Sequence, residues 1–208
     1  MIFYTGQEVK VNEFKVWIRK FLAKRRIRKI CAEWPDEEYL VVPLPYRGRI
    51  YRLLIGKYDN CVANRVAHEM VLGLPIPCVC GFPSAKGQLI IGYNKTFSEV
   101  MTQEETIAVF YHELGHLLNG DLGPNRRRGI KPELDADKFA CEAGYSAELT
   151  SALIKYRDAM IAAGLKGERA MRDMATRILA ARKCAYREYL MEPQNGYTRL
   201  DPACYNLN

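Results

Sequence analysis

Apolar residues in this chain recur with two different periods, and each period predicts one kind of element. A spacing of three to four positions, typical of amphipathic helices, predicts helices over Val11–Ile30, Asp59–Leu72, Ser146–Ala163 and Lys166–Leu190. Short apolar runs beside turn residues predict strands over Tyr39–Leu44, Arg49–Ile55 and Gln88–Tyr93, the first two joined as a hairpin. We therefore expect both helices and strands in the fold.

One further helix is marked at both ends. Thr102 and Glu105 match a capping box, in which each side chain accepts a hydrogen bond from the other residue's backbone N–H. The apolar series that follows stops at Asn119, and Gly120 can take the left-handed conformation that ends a helix. Gly115 costs helix stability relative to alanine, so we expect a second backbone or the substrate to pass close to it.

The sequence His112-Glu113-Leu114-Gly115-His116 lies in the second half of this helix. His112 and His116 are four residues apart, so their imidazoles project from one face and can bind one metal ion. Glu113 stands beside them and can accept a proton. Two histidines on an amphipathic helix can also be ordinary polar positions, but two of the chain's three histidines lie here. A hydrolytic zinc site needs three protein ligands, so a third ligand is required.

A second helix, predicted to begin near Pro132, carries the candidate third ligand. Glu133 and Asp137 share a face, so Glu133 can complete the coordination while Asp137 accepts a hydrogen bond from the far nitrogen of a ligand histidine. Asp135 projects roughly the other way. Asp137 or Asp121 would be the ligand if Glu133 only favours the helix N-terminus by its charge.

These two segments, HELGH followed by ELDADKFA, resemble the zincin metallopeptidases, and most closely the ImmA/IrrE type. The resemblance covers about Gln88 to Gly144. It implies an α+β, zincin-like fold, in which a small mixed sheet packs on the HExxH helix and additional N- and C-terminal helices flank it. It also implies that the strand Gln88–Tyr93 is the sheet edge bordering a cleft, where an extended peptide can add by main-chain hydrogen bonds. An ordinary sheet strand is the alternative for this segment.

The resemblance further implies a zinc-dependent peptidase that hydrolyses peptides or proteins. Its ligands would be His112, His116 and Glu133, and Zn²⁺ held there would lower the pKa of a bound water. Glu113 would accept the proton of that water as general base and return it to the leaving amine.

Such a reaction also needs a hydrogen-bond donor for the oxyanion. Tyr93, Tyr145 and His68 are the candidates from the sequence, and each also has a packing explanation. His68-Glu69 resembles half of a zinc motif, but Leu72 occupies the place of its second histidine. We therefore interpret His68 first as a partly buried histidine.

Other HExxH families fit less well. A metzincin needs glycine three residues and histidine or aspartate six residues after His116, but Asn119 and Leu122 stand there. A peptide deformylase has an upstream cysteine ligand, and Cys78 or Cys80 could serve as that ligand here. The glycine-rich motif of that family, however, is missing from this chain. A second metal site on Cys61, Cys78 and Cys80 lacks the support of any C-x-x-C pair.

Length and composition set the frame for these motifs. The 208 residues, 49% of them hydrophobic, predict one domain over 1–208, with its core at about 38–144, a basic helix at 11–30 and C-terminal helices at 146–190. The chain shows no signal leader and no apolar stretch approaching roughly 18 residues, so we expect a cytoplasmic protein without a membrane span. Seven scattered cysteines fit reduced thiols.

A binding protein is the alternative to a peptidase. The net charge is +7, and both the basic helix Val11–Ile30 and the cluster Arg126–Arg128 could bind nucleic acid or an acidic protein partner. Such a basic protein would carry a structural or degenerate zinc site. The enzyme interpretation is favoured because a binding module has no need for Glu113 between two metal-binding histidines.

Overall fold

Four strands and six helices are formed by the residues that the computed structural model describes, which are 39–56, 62–70, 75–83, 88–122 and 129–190. The strands are β1 Tyr39–Tyr46, β2 Arg49–Gly56, β3 Val79–Pro83 and β4 Leu89–Tyr93. The helices are α1 Val62–Met70, α2 Lys95–Val100, α3 Gln103–Leu118, α4 Ile130–Glu142, α5 Ser146–Ala162 and α6 Glu168–Leu190. The expectation of a mixed α+β fold is confirmed.

Three sequence features lie outside the described residues: the predicted basic helix Val11–Ile30, Cys61 and the cluster Arg126–Arg128. Among the helices that are described, none combines the length and the apolar character needed to cross a membrane.

The strands form one mixed sheet in the order β1-β2-β4-β3. β1 and β2 are antiparallel, and the turn between them places Arg47 and Gly48 at positive φ, 47° and 72°, as in a type I′ hairpin. β2 runs parallel to β4, because the chain returns through α1 and β3 before entering β4. Alternate residues of β1, Val42, Leu44 and Tyr46, point into the core.

β4 is an interior strand, so Gln88–Tyr93 is an ordinary sheet strand, and the alternative prediction that it forms the sheet edge is wrong. It is buried from both faces, by α3 on one side and α1 on the other. The approach of α1 is so close that a Cβ added at Gly92 would lie 2.0 Å from the carbonyl oxygen of Ala63. An unbroken apolar run is typical of a strand covered on both faces. The edge strands of this sheet are β1 and β3, and the apolar pattern predicts no strand at β3.

Close packing of α3 on α4 positions the HELGH segment. The capping box is confirmed: the Thr102 N–H donates to Glu105 Oε2 at 2.8 Å, and the Glu105 N–H donates to Thr102 Oγ1 at 3.2 Å. A Cβ added at Gly115 would lie 2.8 Å from the Cα of Ala136 in α4. The expected close approach of a second backbone at Gly115 is therefore confirmed, and it sets HELGH against the first turns of α4.

The two last helices continue the same apolar core. α5 packs on α3, and α6 packs on both α4 and α5. Met174, Ile178 and Ala181 are the buried residues of α6, and their spacing places them on one face of the helix. Since that face meets the core formed by the sheet and α3, side chains of α6 reach the region of the HELGH segment.

Candidate metal centre

Three ligand atoms from α3 and α4 converge at one point. The Nε2 atoms of His112 and His116 lie 3.1 Å apart. The carboxylate of Glu133 places Oε2 at 3.5 Å from His112 Nε2 and Oε1 at 3.7 Å from His116 Nε2. Within the described residues, these three form the one group of histidine, cysteine or acidic side chains with metal-ligand spacing.

The spacing of this group fits a zinc ion. Ligands about 2.0–2.1 Å from zinc at tetrahedral angles lie about 3.3–3.4 Å from one another. The three observed separations, 3.1, 3.5 and 3.7 Å, bracket that value. Two imidazoles and one carboxylate are also a donor set that zinc uses in hydrolases, where the fourth position is left to water.

Two aspartates contact the opposite nitrogens of the histidines rather than joining the ligand group. Asp137 Oδ1 lies 2.7 Å from His112 Nδ1, and Asp121 Oδ2 lies 3.7 Å from His116 Nδ1. A carboxylate that accepts a hydrogen bond from Nδ1, as the 2.7 Å distance allows for Asp137, holds the proton there and leaves Nε2 for a metal, whereas Asp121 lies beyond hydrogen-bond distance of His116 Nδ1. Asp135 is outside this group, where it forms an ion pair with Lys131 at 3.7 Å.

Arg177 of α6 binds two of the four acidic residues of α4, Asp137 and Glu133. Its Nε and Nη2 donate to Asp137 Oδ2 and Oδ1 at 2.8 and 2.7 Å, and its Nη1 lies 3.1 Å from Glu133 Oε2. Burial acts to raise the pKa values of both carboxyls, but the guanidinium and the histidines outweigh it and hold both pKa values below their ordinary range. Both groups are therefore charged near neutral pH.

The sequence analysis did not identify Arg177 as a residue of the site, although the helical pattern around it indicates a buried arginine. Arg177 lies between Met174 and Ile178 on the buried face of α6, and its own side chain is 13% exposed. An arginine at a core position of an amphipathic helix requires a buried acidic partner. The pattern indicates that a partner exists but does not say which acid it is.

Glu113 lies beside the ligands and is buried, with 8% of its surface exposed. Burial raises its pKa, although the two histidines act in the opposite direction, as does a hydrogen bond from the backbone of Gly81. A Cβ added at Gly81 would lie 2.9 Å from Glu113 Oε2, so the edge strand β3 touches this carboxylate. A carboxyl with a raised pKa is better matched to proton transfer near neutral pH.

The group opens into a cavity of about 310 Å³. One side of the cavity is the ligand group with Glu113 and Arg177. The other side is formed by β3 and its approach, residues 77–81, and by α5, which contributes Leu149, Ala152, Leu153 and Tyr156. A concave, mostly apolar pocket with a few convergent polar groups is the usual form of a small-molecule or peptide site.

None of the three oxyanion candidates from the sequence lines this cavity. Tyr145 is buried in the core and stacks on Tyr111, with ring centroids 5.5 Å apart. The ring of Tyr93 packs on Phe97 at 5.8 Å. His68, in the last turn of α1, is exposed, so the interpretation of it as a partly buried histidine is wrong.

Cys78 and Cys80 line the cavity but do not belong to the metal-spaced group. A hydrogen bond with Cys78, followed by burial, raises the pKa of the Cys80 thiol well above its ordinary value. The Cys78 thiol donates to the carbonyl oxygen of Ala67 at 3.5 Å. A thiolate ligand of the deformylase kind is therefore not favoured by the geometry.

No protein-family model matches the chain, and neither a curated protein nor a solved structure does. Functional inference therefore depends on the residues and geometry of the site.

Proposed function

We propose that this chain is a zinc-dependent peptidase with a zincin-like fold of the ImmA/IrrE type. The observation that carries the proposal is the convergence of His112, His116 and Glu133, with the buried carboxylate of Glu113 beside them at the wall of a cavity. Metal binding by the two histidines alone does not require a carboxylate between them. A general base that accepts a proton from a metal-bound water must lie next to the metal, and Glu113 occupies that position.

Two of the three proposed ligands are held by a partner that suits this role. Asp137 orients His112, and Arg177 contacts Glu133, so both are positioned before a metal binds. When bound, zinc would lower the pKa of a water molecule and polarise a peptide carbonyl. Glu113 would accept the proton of the attacking water and deliver it to the leaving amine.

The edge strand β3 supports a peptide as substrate. Within the described residues, β3 pairs with β4 on one side only, so an extended chain could add along its other side. Gly81 of this strand touches Glu113, which places the edge next to the reacting groups. A peptide added to β3 would therefore pass Glu113 and the ligand group.

The proposed function is tested with Glu113→Gln, which keeps the size of the side chain but removes its capacity to accept a proton. We expect one equivalent of zinc, an unchanged melting temperature and a fall in peptide hydrolysis of about 10²–10⁴-fold. Glu104→Gln is the matched control, since Glu104 lies on the same helix and is exposed. Zinc content, thermal melting and cleavage of a mixture of unstructured peptides are measured on one preparation of each variant.

Two results would contradict the proposal. Cleavage by the Gln variant at the parent rate would show that Glu113 is not the base. A parent protein that binds zinc, cleaves nothing and binds a nucleic-acid duplex with a steep salt dependence would favour the basic binding protein instead.

A further inference from the structure

A peptidase of this kind needs a hydrogen-bond donor where the carbonyl oxygen of the substrate gains negative charge. The following inference rests on the proposed function and concerns which side chain supplies that donor. The polar side chains that line the cavity are Cys78, Cys80, His112, Glu113, His116, Asp121, Glu133, Tyr156 and Arg177. Only some of them can donate.

Most of these side chains are excluded by their chemistry or by their partners. The ionised carboxylates accept hydrogen bonds but cannot donate them, and the histidine Nε2 atoms face the metal position. Arg177 has five N–H donors, but all three of its nitrogens contact Asp137 or Glu133, so the guanidinium is held against these carboxylates. The cysteine thiols are weak donors, and that of Cys78 is directed at the Ala67 carbonyl. The phenol of Tyr156 remains.

Tyr156 is well placed to act as a donor. It follows Leu149, Ala152 and Leu153 on one face of α5, and this face forms a wall of the cavity. Its ring packs against the hydrophobic core, which restricts the position of the hydroxyl. That hydroxyl makes no hydrogen bond with the described part of the chain.

The charges around Tyr156 suit the same role. Burial raises its pKa, as do Cys78 and Glu133, while Arg177 acts in the opposite direction. The phenol therefore keeps its proton at neutral pH and can donate it in a hydrogen bond. The nearby guanidinium of Arg177 adds positive potential on the side where negative charge would develop.

We infer that Tyr156 is a catalytic residue, whose hydroxyl donates a hydrogen bond to the carbonyl oxygen of the scissile peptide bond as that oxygen becomes negatively charged. The interaction is made in the transition state and is weaker in the bound substrate. Its loss should therefore lower kcat and leave KM nearly unchanged.

The test compares Tyr156→Phe with two control variants. Tyr186→Phe removes a hydroxyl from an exposed tyrosine of α6, and Tyr93→Phe removes it from a sequence candidate that does not line the cavity. We expect Tyr156→Phe to lower kcat on the order of 10²–10³-fold, with parent zinc content and melting temperature, while both controls keep the parent kcat.

A binding measurement supplies a second readout that is independent of turnover. The probe is a peptide in which a phosphinate replaces the scissile amide, because its tetrahedral, charged oxygen mimics the transition state. Tyr156→Phe should weaken phosphinate binding by a factor similar to the fall in kcat, and should leave binding of an amine product peptide unchanged.

Each outcome decides the inference. An unchanged kcat and unchanged phosphinate affinity in Tyr156→Phe overturn it, while the Glu113→Gln result continues to decide the peptidase proposal separately. A fall in kcat that comes with lost zinc or a lower melting temperature assigns Tyr156 a structural role and also overturns it. A parent that binds zinc but cleaves no peptide overturns both proposals together.

Discussion

The cavity has two walls of opposite character. The ligand wall, formed by His112, Glu113, His116 and Glu133 on α3 and α4, carries charged or metal-binding groups that are fixed by other side chains or backbone. The apolar wall, formed by Leu149, Ala152 and Leu153 on α5, carries one hydroxyl, that of the neighbouring Tyr156.

The difference indicates a division of work between the walls. In the proposed peptidase, the groups that would hold a metal or move a proton are preorganised by partners such as Asp137 and Arg177, because buried charges without partners are costly. The apolar wall has no such requirement and would select a substrate side chain by shape. Changes at the three ligands or at their partners should therefore alter zinc binding and stability, whereas changes at Glu113, or facing it from β3 or α5, should alter turnover.

The largest effect is expected from Glu133→Ala, which leaves two ligands. Loss of a residue that only hydrogen-bonds to a ligand typically lowers metal affinity by roughly 10–100-fold. Loss of Glu133 itself should lower zinc affinity by more than this, and cleavage should be abolished. Asp135→Ala is the matched control, since Asp135 lies on the same helix and pairs with Lys131 instead. Zinc titration of both variants measures the difference; equal losses would mean that the third ligand is assigned wrongly.

The next effect concerns Arg177→Gln, which leaves Asp137 and Glu133 buried without their guanidinium. The zinc-free protein should lose about 3–5 kcal/mol of unfolding free energy, as when one partner of a buried ion pair is removed. Zinc should reduce this loss, because the metal then neutralises Glu133. Arg172→Gln breaks an exposed pair with Glu168 and should cost at most about 1 kcal/mol. Urea denaturation with and without zinc tests both; a loss in Arg177→Gln no greater than in the control would contradict the pairing.

The smallest effect is expected from Gly81→Ala, which introduces a Cβ from β3 against the carboxylate of Glu113. The added atom would lie 2.9 Å from Glu113 Oε2, so the carboxylate must move by a few tenths of an ångström. We expect kcat to fall about 10–100-fold with zinc still bound, because proton transfer depends on this position. Gly167→Ala is the control, since a Cβ there meets no atom within 4 Å. Parent kinetics in Gly81→Ala would show that β3 does not constrain the base.

Local signals predicted the elements that carry the ligand wall. The capping box at Thr102 and Glu105 depends on residues three positions apart, so it can be read from the sequence directly. The same holds for Gly115, whose cost inside a helix indicated the approach of α4. Such features can be predicted from the sequence because they depend on residues that are close together along the chain.

The elements of the opposite wall could not be predicted in this way. The segment Val79–Pro83 contains glycine and proline and lacks an alternating pattern, and it becomes the edge strand only through pairing with β4. Tyr156 resembles any aromatic residue of an amphipathic helix until α5 packs against α3. Contacts between residues far apart in the chain decide both positions, and a single sequence contains no record of them.

The pairing of Arg177 with the acids of α4 also orders events during synthesis. Asp137 precedes Arg177 by 40 residues, which at about 5–20 residues per second corresponds to a delay of about 2–8 seconds on the ribosome. During that interval the HELGH helix and α4 have been made but lack the guanidinium that neutralises Asp137 and Glu133. The proposed protease would thus acquire the arginine that completes its centre only late in its own translation.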